Sequence, residues 1–298
     1  MMGLLSLLLL VLQNPTPQSC TWRMATEVGT LNPVVNESSG MAISRKIPNR
    51  AYRHNDSGDT GRFFVMDLDG RNMKAVRIAG FAPLDVEDMA VGPCAAASDC
   101  LFFGDIGDNS NRRGSVELVI VRERSSFPAE VRADYRVTLR YPGGPHDAEA
   151  LAVHPDGTVY ILTKHASSPQ LFRLKRQQWH DAKGPQMLEP IATLDWAAVL
   201  PDSLSLGRLA TGMDIAPDGK RFLVLTYVEA VEFRMDLSRP LPDPRTWKDG
   251  RHYRRIPITM LEQEEAIAYL PDGKAFLYDT ERRNASRSAR IMRVGCVN

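Results

Sequence analysis

Carboxylates recur in this 298-residue chain at fixed places in a repeated phrase. The phrase reads Glu37-Ser-Ser-Gly-Met-Ala42, Asp85-Val-Glu-Asp-Met-Ala90, Asp147-Ala-Glu-Ala-Leu-Ala152, Thr211-Gly-Met-Asp214 and Gln263-Glu-Glu-Ala-Ile-Ala268. Residues two apart on a strand point the same way, so Asp85 and Glu87 share a side, as do Asp147 and Glu149. In register with them stand Glu37, Gln263 and Glu265, with Thr211 in the fourth copy. A ring of acids gathered in this way must be neutralised by protons, basic side chains or a cation. Hard oxygen donors suit Ca²⁺, with Mg²⁺ and Mn²⁺ as the other fitting ions. The metal-ligand candidates are therefore Glu37, Asp85, Glu87, Asp147, Glu149, Asp214 and Glu265. In the competing reading some acids pair with Lys164, Arg112 or Arg113 and others cap backbone amides between units. Asp214 stands where the other copies have Ala42, Ala90, Ala152 and Ala268, and a buried acid there needs a partner or a metal.

Units of this kind cannot bury their apolar faces alone and must stack on copies of themselves. Aligned on their last residues, the phrases lie 48, 62, 62 and 54 residues apart. The 30 residues after Ala268 and the 22 from Cys20 to Ala42 complete one more interval of similar length. Within each interval, short β-branched and aromatic runs between turn residues read as four strands. Pro-Asp-Gly at Pro155, Pro217 and Pro271 joins first strand to second, its glycine supplying the positive φ such hairpins need. The last unit has only three strands of its own, and Trp22–Gly29 supplies the fourth. The fold class is all-β: a β-propeller of five four-stranded blades, its ring closed by the N-terminal strand pairing with the C-terminal blade. The two 62-residue intervals leave room for a sixth blade.

First strands line a propeller's channel, and second-strand ends return to the same mouth. The channel-mouth candidates are His54, Asn55, Asp56, Asp105, Asp108, Asn109, Lys164, His165, Thr211, Glu264 and Asp279. His54, His146 and His165 fall near that end as candidate general bases. The Gly104–Arg113 loop is rich in oxygen ligands but lacks the EF-hand spacing and its distal Glu. Phosphate-binding loops, the His-Glu-x-x-His zinc motif and the Gly-x-Ser-x-Gly elbow are absent from the sequence.

Leu4 to Leu12 is a short apolar run that spans about 14 Å as helix, half a bilayer core. Residues 1–19 therefore read as a signal peptide and 20–298 as a single propeller domain, secreted or periplasmic and monomeric. Four cysteines fall into two pairs, Cys94 with Cys100 and Cys20 with Cys296, the second locking the seam of the ring. Lipidation of Cys20 is the competing fate of that residue. No other stretch is long enough to cross a membrane, and a net charge of +1 gives no attraction for nucleic acid.

At these residues the chain resembles bacterial secreted β-propellers related to the gluconolactonase and calcium-dependent lactonase or esterase superfamily. Glu37 resembles the single glutamate those propellers give to their metal. Thr211-Gly-Met-Asp-Ile-Ala-Pro-Asp-Gly219 is similar to their Asn-Gly-Leu-x-x-Ser-Pro-Asp-Gly phrase, with Thr211 in place of the metal-binding Asn. That group has six blades where the repeats here count five. His-Asn-Asp-Ser-Gly at 54–58 and Gly-Asp-Ile-Gly-Asp-Asn at 104–109 are similar to uncharacterised members. The expectation is a secreted scaffold with an acidic Ca²⁺ site at the channel, binding a small molecule or protein at its mouth. The alternative is a metal-dependent hydrolase of lactones, esters or phosphoesters.

Overall fold

Glycine in Pro-Asp-Gly turns the chain back on itself at Gly157, Gly219 and Gly273, each at positive φ. Strands then form from the β-branched and aromatic runs on either side. The computed structural model describes residues 21–95, 98–281 and 289–297. Residues 1–19, read as a signal peptide, and Cys20 lie outside them.

Among the described residues the strands form five antiparallel sheets, the blades of a β-propeller. Blade 1 holds Ser38–Ile43, Ala51–Asn55, Arg62–Met66 and Lys74–Ala79. Blade 2 holds Val86–Ala95, Ser98–Asp105, Val116–Arg122 and Tyr135–Arg140. Blade 3 comprises Ala148–Val153, Val159–Thr163, Gln170–Leu174 and Glu189–Thr193, and blade 4 Ala210–Ile215, Phe222–Thr226, Glu229–Phe233 and Tyr253–Pro257. Blade 5 runs Glu264–Tyr269, Ala275–Thr280 and Arg290–Val297, then crosses to the N-terminus. Thr26–Thr30 and Thr21–Trp22 both pair antiparallel with Arg290–Val297, setting Trp22 opposite Cys296. The N-terminal segment thus closes the ring, as the incomplete last repeat requires.

The first strand of each blade packs against the first strands on either side, so that the five make a closed circle. Alternate residues on a strand face opposite neighbours, and every blade interface accordingly has its own apolar cluster. Among the described residues there are five such clusters, the one between blades 5 and 1 built on Met41, Phe64, Leu277 and Ile291.

Among the described residues the long second and third intervals hold no sixth blade. Glu130–Arg132 leaves blade 2 to pair parallel with the outer strand of blade 1, and Gln186–Met187 leaves blade 3 to pair with the outer strand of blade 2. Short helices at Arg176–His180 and Trp196–Val199 take up further residues. The extra length covers outer edges that would otherwise expose unpaired backbone groups.

Cys94 and Cys100 form a disulfide at the end of the longest hairpin, with Cα atoms 5.6 Å apart. Among the described residues no helix is long and apolar enough to cross a membrane.

Buried polar side chains tie blades together. Asp88 of blade 2 accepts from Leu151 N of blade 3 at 2.8 Å and from Met213 N of blade 4 at 3.1 Å. At the seam, Arg53 Nε of blade 1 meets Asp279 Oδ2 of blade 5 at 2.6 Å, and Ser38 Oγ donates to Asp279 Oδ1 at 2.9 Å. Arg53 and Asp279 are both fully buried, so removing one partner strands the other's charge. Arg53→Met should cost about 3–5 kcal/mol in urea unfolding, and Arg53→Met with Asp279→Leu should recover most of it.

Candidate functional site

One irregularity repeats in all five inner strands. The register against the second strand shifts by an extra residue at Ser39, Glu87, Glu149, Thr211 and Glu265. A bulge of this kind leaves one residue unpaired and re-aims its side chain. The five occupy the same position of the repeated phrase, and all five are buried. Ser39 Oγ donates to Glu87 O at 2.8 Å, and Thr211 Oγ1 donates to Glu264 O at 2.7 Å, so the two hydroxyls join neighbouring blades. The three acids have no such bonds to the backbone of a neighbour among the described contacts.

Around them the carboxylates converge. Asp56, Asp85 and Glu87 each offer an oxygen, and the three oxygens lie within 4.8 Å of one another. Burial pushes the Asp85 carboxyl up to about 6, with Asp56 and Asp147 adding repulsion. Glu87 is held well above the usual range by burial and then by Glu149, Asp56 and Asp85. Glu265 is raised by burial and Glu149, and Asp56 by burial, Glu281 and Glu37. Lys164 pairs with Glu149, yet burial still lifts Glu149 to about 7. Burial works against the Lys164 charge, but Glu149 outweighs it and keeps the ammonium protonated.

Gly107 makes the close approach of acids feasible. A Cβ there would collide with Glu87 Oε1 and Asp85 Oδ2. Its backbone N–H instead donates to Asp85 O at 3.2 Å. Glu149 Oε2 is buried without a hydrogen-bond partner. A buried carboxylate oxygen left in this way, beside several hard oxygen donors, fits a Ca²⁺-type ligand set.

The other sequence candidates have different surroundings. Glu37 is half-buried and acts electrostatically on Asp56. Asp147 Oδ1 accepts from Asp108 N at 2.8 Å. Asp214 lies further along the channel, accepting from Tyr269 N and Ile215 N at 2.8 Å each. Asp105 receives Leu84 N and Asp85 N at 3.0 Å and Arg113 Nη1 at 2.8 Å. Asp108 caps its own loop through Arg112 N and Arg113 N. Asn55 ties Val34 O and Asp59 to the Glu37 amide. Asp279 faces Arg53 at the seam, away from the carboxylate cluster. His54 is buried against Gly40, its Nδ1 at 2.9 Å from Asn55 O, and burial lowers it to about 4. His165 is exposed and takes Ser168 N on Nδ1, while His146 packs on Tyr141 and Phe172. Four participants were not singled out from the sequence. Ser39 was detectable by alignment, for it holds the phrase position of Glu87. Gly107, Asp88 and Tyr227, whose OH donates to Glu265 Oε1 at 3.3 Å, carry no local signal.

Beside the carboxylates opens a cavity of about 610 Å³ among the mouth-side loops of blades 2 to 5. Asp147, Lys164, Asn109, Glu264 and Tyr227 are among the residues that line it.

No protein-family model matches the chain, and no curated protein matches it either. Among solved structures it is similar to a glucose dehydrogenase at 13% identity, covering 92% of this chain and 99% of that one with a TM-score of 0.48. It is similar to virginiamycin B lyase from Staphylococcus aureus at 9% identity, covering 93% and 100%, with a TM-score of 0.45. Against Kuenenia stuttgartiensis hydrazine synthase the identity is 15% and the TM-score 0.42, and the chain spans 56% of that protein. No activity transfers from likeness at this level.

Acids raised by burial favour the protonated folded state, so their stabilisation is full below the ordinary carboxylate range and is lost as pH rises through the folded values. For Asp85 that value is about 6, and for Glu149 about 7. In chelator, the unfolding midpoint should therefore fall as pH rises from about 5 to about 8. Glu149→Gln should flatten the slope, read by calorimetry across the series.

Proposed function

We propose that this protein is an exported β-propeller whose channel mouth holds one Ca²⁺ ion and presents it as part of a ligand-binding platform. The observation that carries the reading is the meeting of Asp56, Asp85 and Glu87 oxygens within 4.8 Å. Mutual repulsion in a buried place disfavours three free anions, and a divalent cation would remove that cost. Glu149, with its unpartnered Oε2, and Glu265 would supply further negative charge around the ion. The Cys94–Cys100 disulfide supports an oxidising compartment, as export requires.

Hydrolysis of a lactone, ester or phosphoester is the second reading, favoured by the cavity beside the carboxylates. Asp85, held up to about 6, and Glu149, held up to about 7, would then be the carboxylates raised into a base's working range. The histidines support that reading less. His54 is buried with its ring against Gly40, and the His165 ring is engaged by its own loop. The platform reading therefore ranks first.

Ca²⁺ at about a hundred times Kd should stabilise the mature, oxidised protein by about 2.7 kcal/mol. Glu87→Gln should weaken binding at least about tenfold while the folded spectrum is kept. Gly107→Ala should do the same by displacing both carboxylates. A midpoint indifferent to Ca²⁺, Mg²⁺ and Mn²⁺, together with no metal in the purified protein, would remove the metal centre.

A further inference from the structure

The cavity among the mouth-side loops of blades 2 to 5 has a mixed lining. Leu206, Leu209, Val228, Met260 and Leu261 are its apolar part. Leu206 is 75% exposed and Met260 62%, so large hydrocarbon surfaces stand open at its rim. The same lining carries Asp147, Glu262, Glu264 and Lys164, with Glu264 accepting from the Leu261 amide. Glu149 and Glu265 lie immediately behind Lys164, which Glu149 binds and on which Glu265 acts. Lys164 Nζ also sits 5.6 Å from the centroid of the Tyr227 ring. One ammonium is thus already held here between a carboxylate and an aromatic face, and the cavity lining itself carries three carboxyl side chains, Asp147, Glu262 and Glu264, against that one lysine.

We infer that this cavity binds an organic cation with an apolar body, an alkyl- or arylammonium compound, independently of the metal centre. Its volume of about 610 Å³ falls within the range of small-molecule sites. The hydrocarbon part lies along Leu206, Leu209 and Met260, covering surface that water otherwise wets. The ammonium end faces the Asp147 carboxylate, since Lys164 already takes the Tyr227 ring. An anion of the same shape meets Asp147 and Glu262, with Lys164 already tied to Glu149, and is repelled. A neutral one gains the apolar contact without the charge.

The test is calorimetric titration of the full chain in chelator with butylammonium, hexylammonium, hexanol and hexanoate. Hexylammonium should bind roughly tenfold tighter than butylammonium, as two added methylenes leave water. Hexanol should bind more weakly than hexylammonium, and hexanoate should give no heat of binding. Leu206→Ser with Met260→Ser, both at exposed positions, should weaken hexylammonium and leave the Ca²⁺-induced shift unchanged. Equal affinity for hexanol, no dependence on chain length, or no loss in the double variant would overturn the inference. Ca²⁺ binding with hexylammonium silent would also overturn it and leave the metal centre standing. Hexylammonium bound as expected by a protein indifferent to Ca²⁺ supports it and removes the metal centre alone.

Discussion

Five strands must converge on one axis in this molecule, and the rest of the structure follows from how they manage it. Each inner strand is flanked on both sides by another, so both of its faces are buried. Small residues at Ala42, Ala90, Ala152 and Ala268 allow the approach. At one level the regular pairing breaks in every blade, and the bulged residue is Ser39, Glu87, Glu149, Thr211 or Glu265. Backbone geometry and side-chain chemistry therefore coincide. In three of the five blades the position that cannot stay in the ladder carries an acid.

Buried and half-buried carboxylates here fall into two populations, separated by what faces them. Asp88, Asp105, Asp108 and Asp214 accept backbone N–H groups, and Asp279 meets a guanidinium. Their charges are met by donors the fold supplies, and they join blades or close loops. Asp56, Asp85, Glu87, Glu149 and Glu265 chiefly face one another, with Lys164 on Glu149. Repulsion in a low-dielectric place raises their affinity for protons, and the same field favours any other cation. The first population holds the ring together firmly enough for the second to persist at its mouth.

Long intervals between repeats serve the periphery. They add edge strands to the preceding blade and build the loops that wall the cavity beside the acids. An ordinary channel mouth thereby acquires an apolar flank. The scaffold is repetitive, while what surrounds its mouth differs from blade to blade.

The sequence by itself determined five repeats with room for a sixth blade (the structure decided for five), the closing of the ring by the N-terminus and the level at which acids gather. Those follow from period, strand alternation and turn residues, which are local properties written out along the chain. It also marked Asp214 as a residue needing a partner, and the partners are the amides of Tyr269 and Ile215. Only the tertiary structure decided which acids face donors and which face each other. Asp279 and Asp85 look alike in sequence, but one meets Arg53 from 226 residues away and the other meets Asp56 and Glu87. The bulges, the clearance at Gly107 and the cavity likewise arise between segments distant along the chain. A carboxylate's role is set by the charges and dipoles within a few ångströms of it, and those neighbours exist only once the ring has closed.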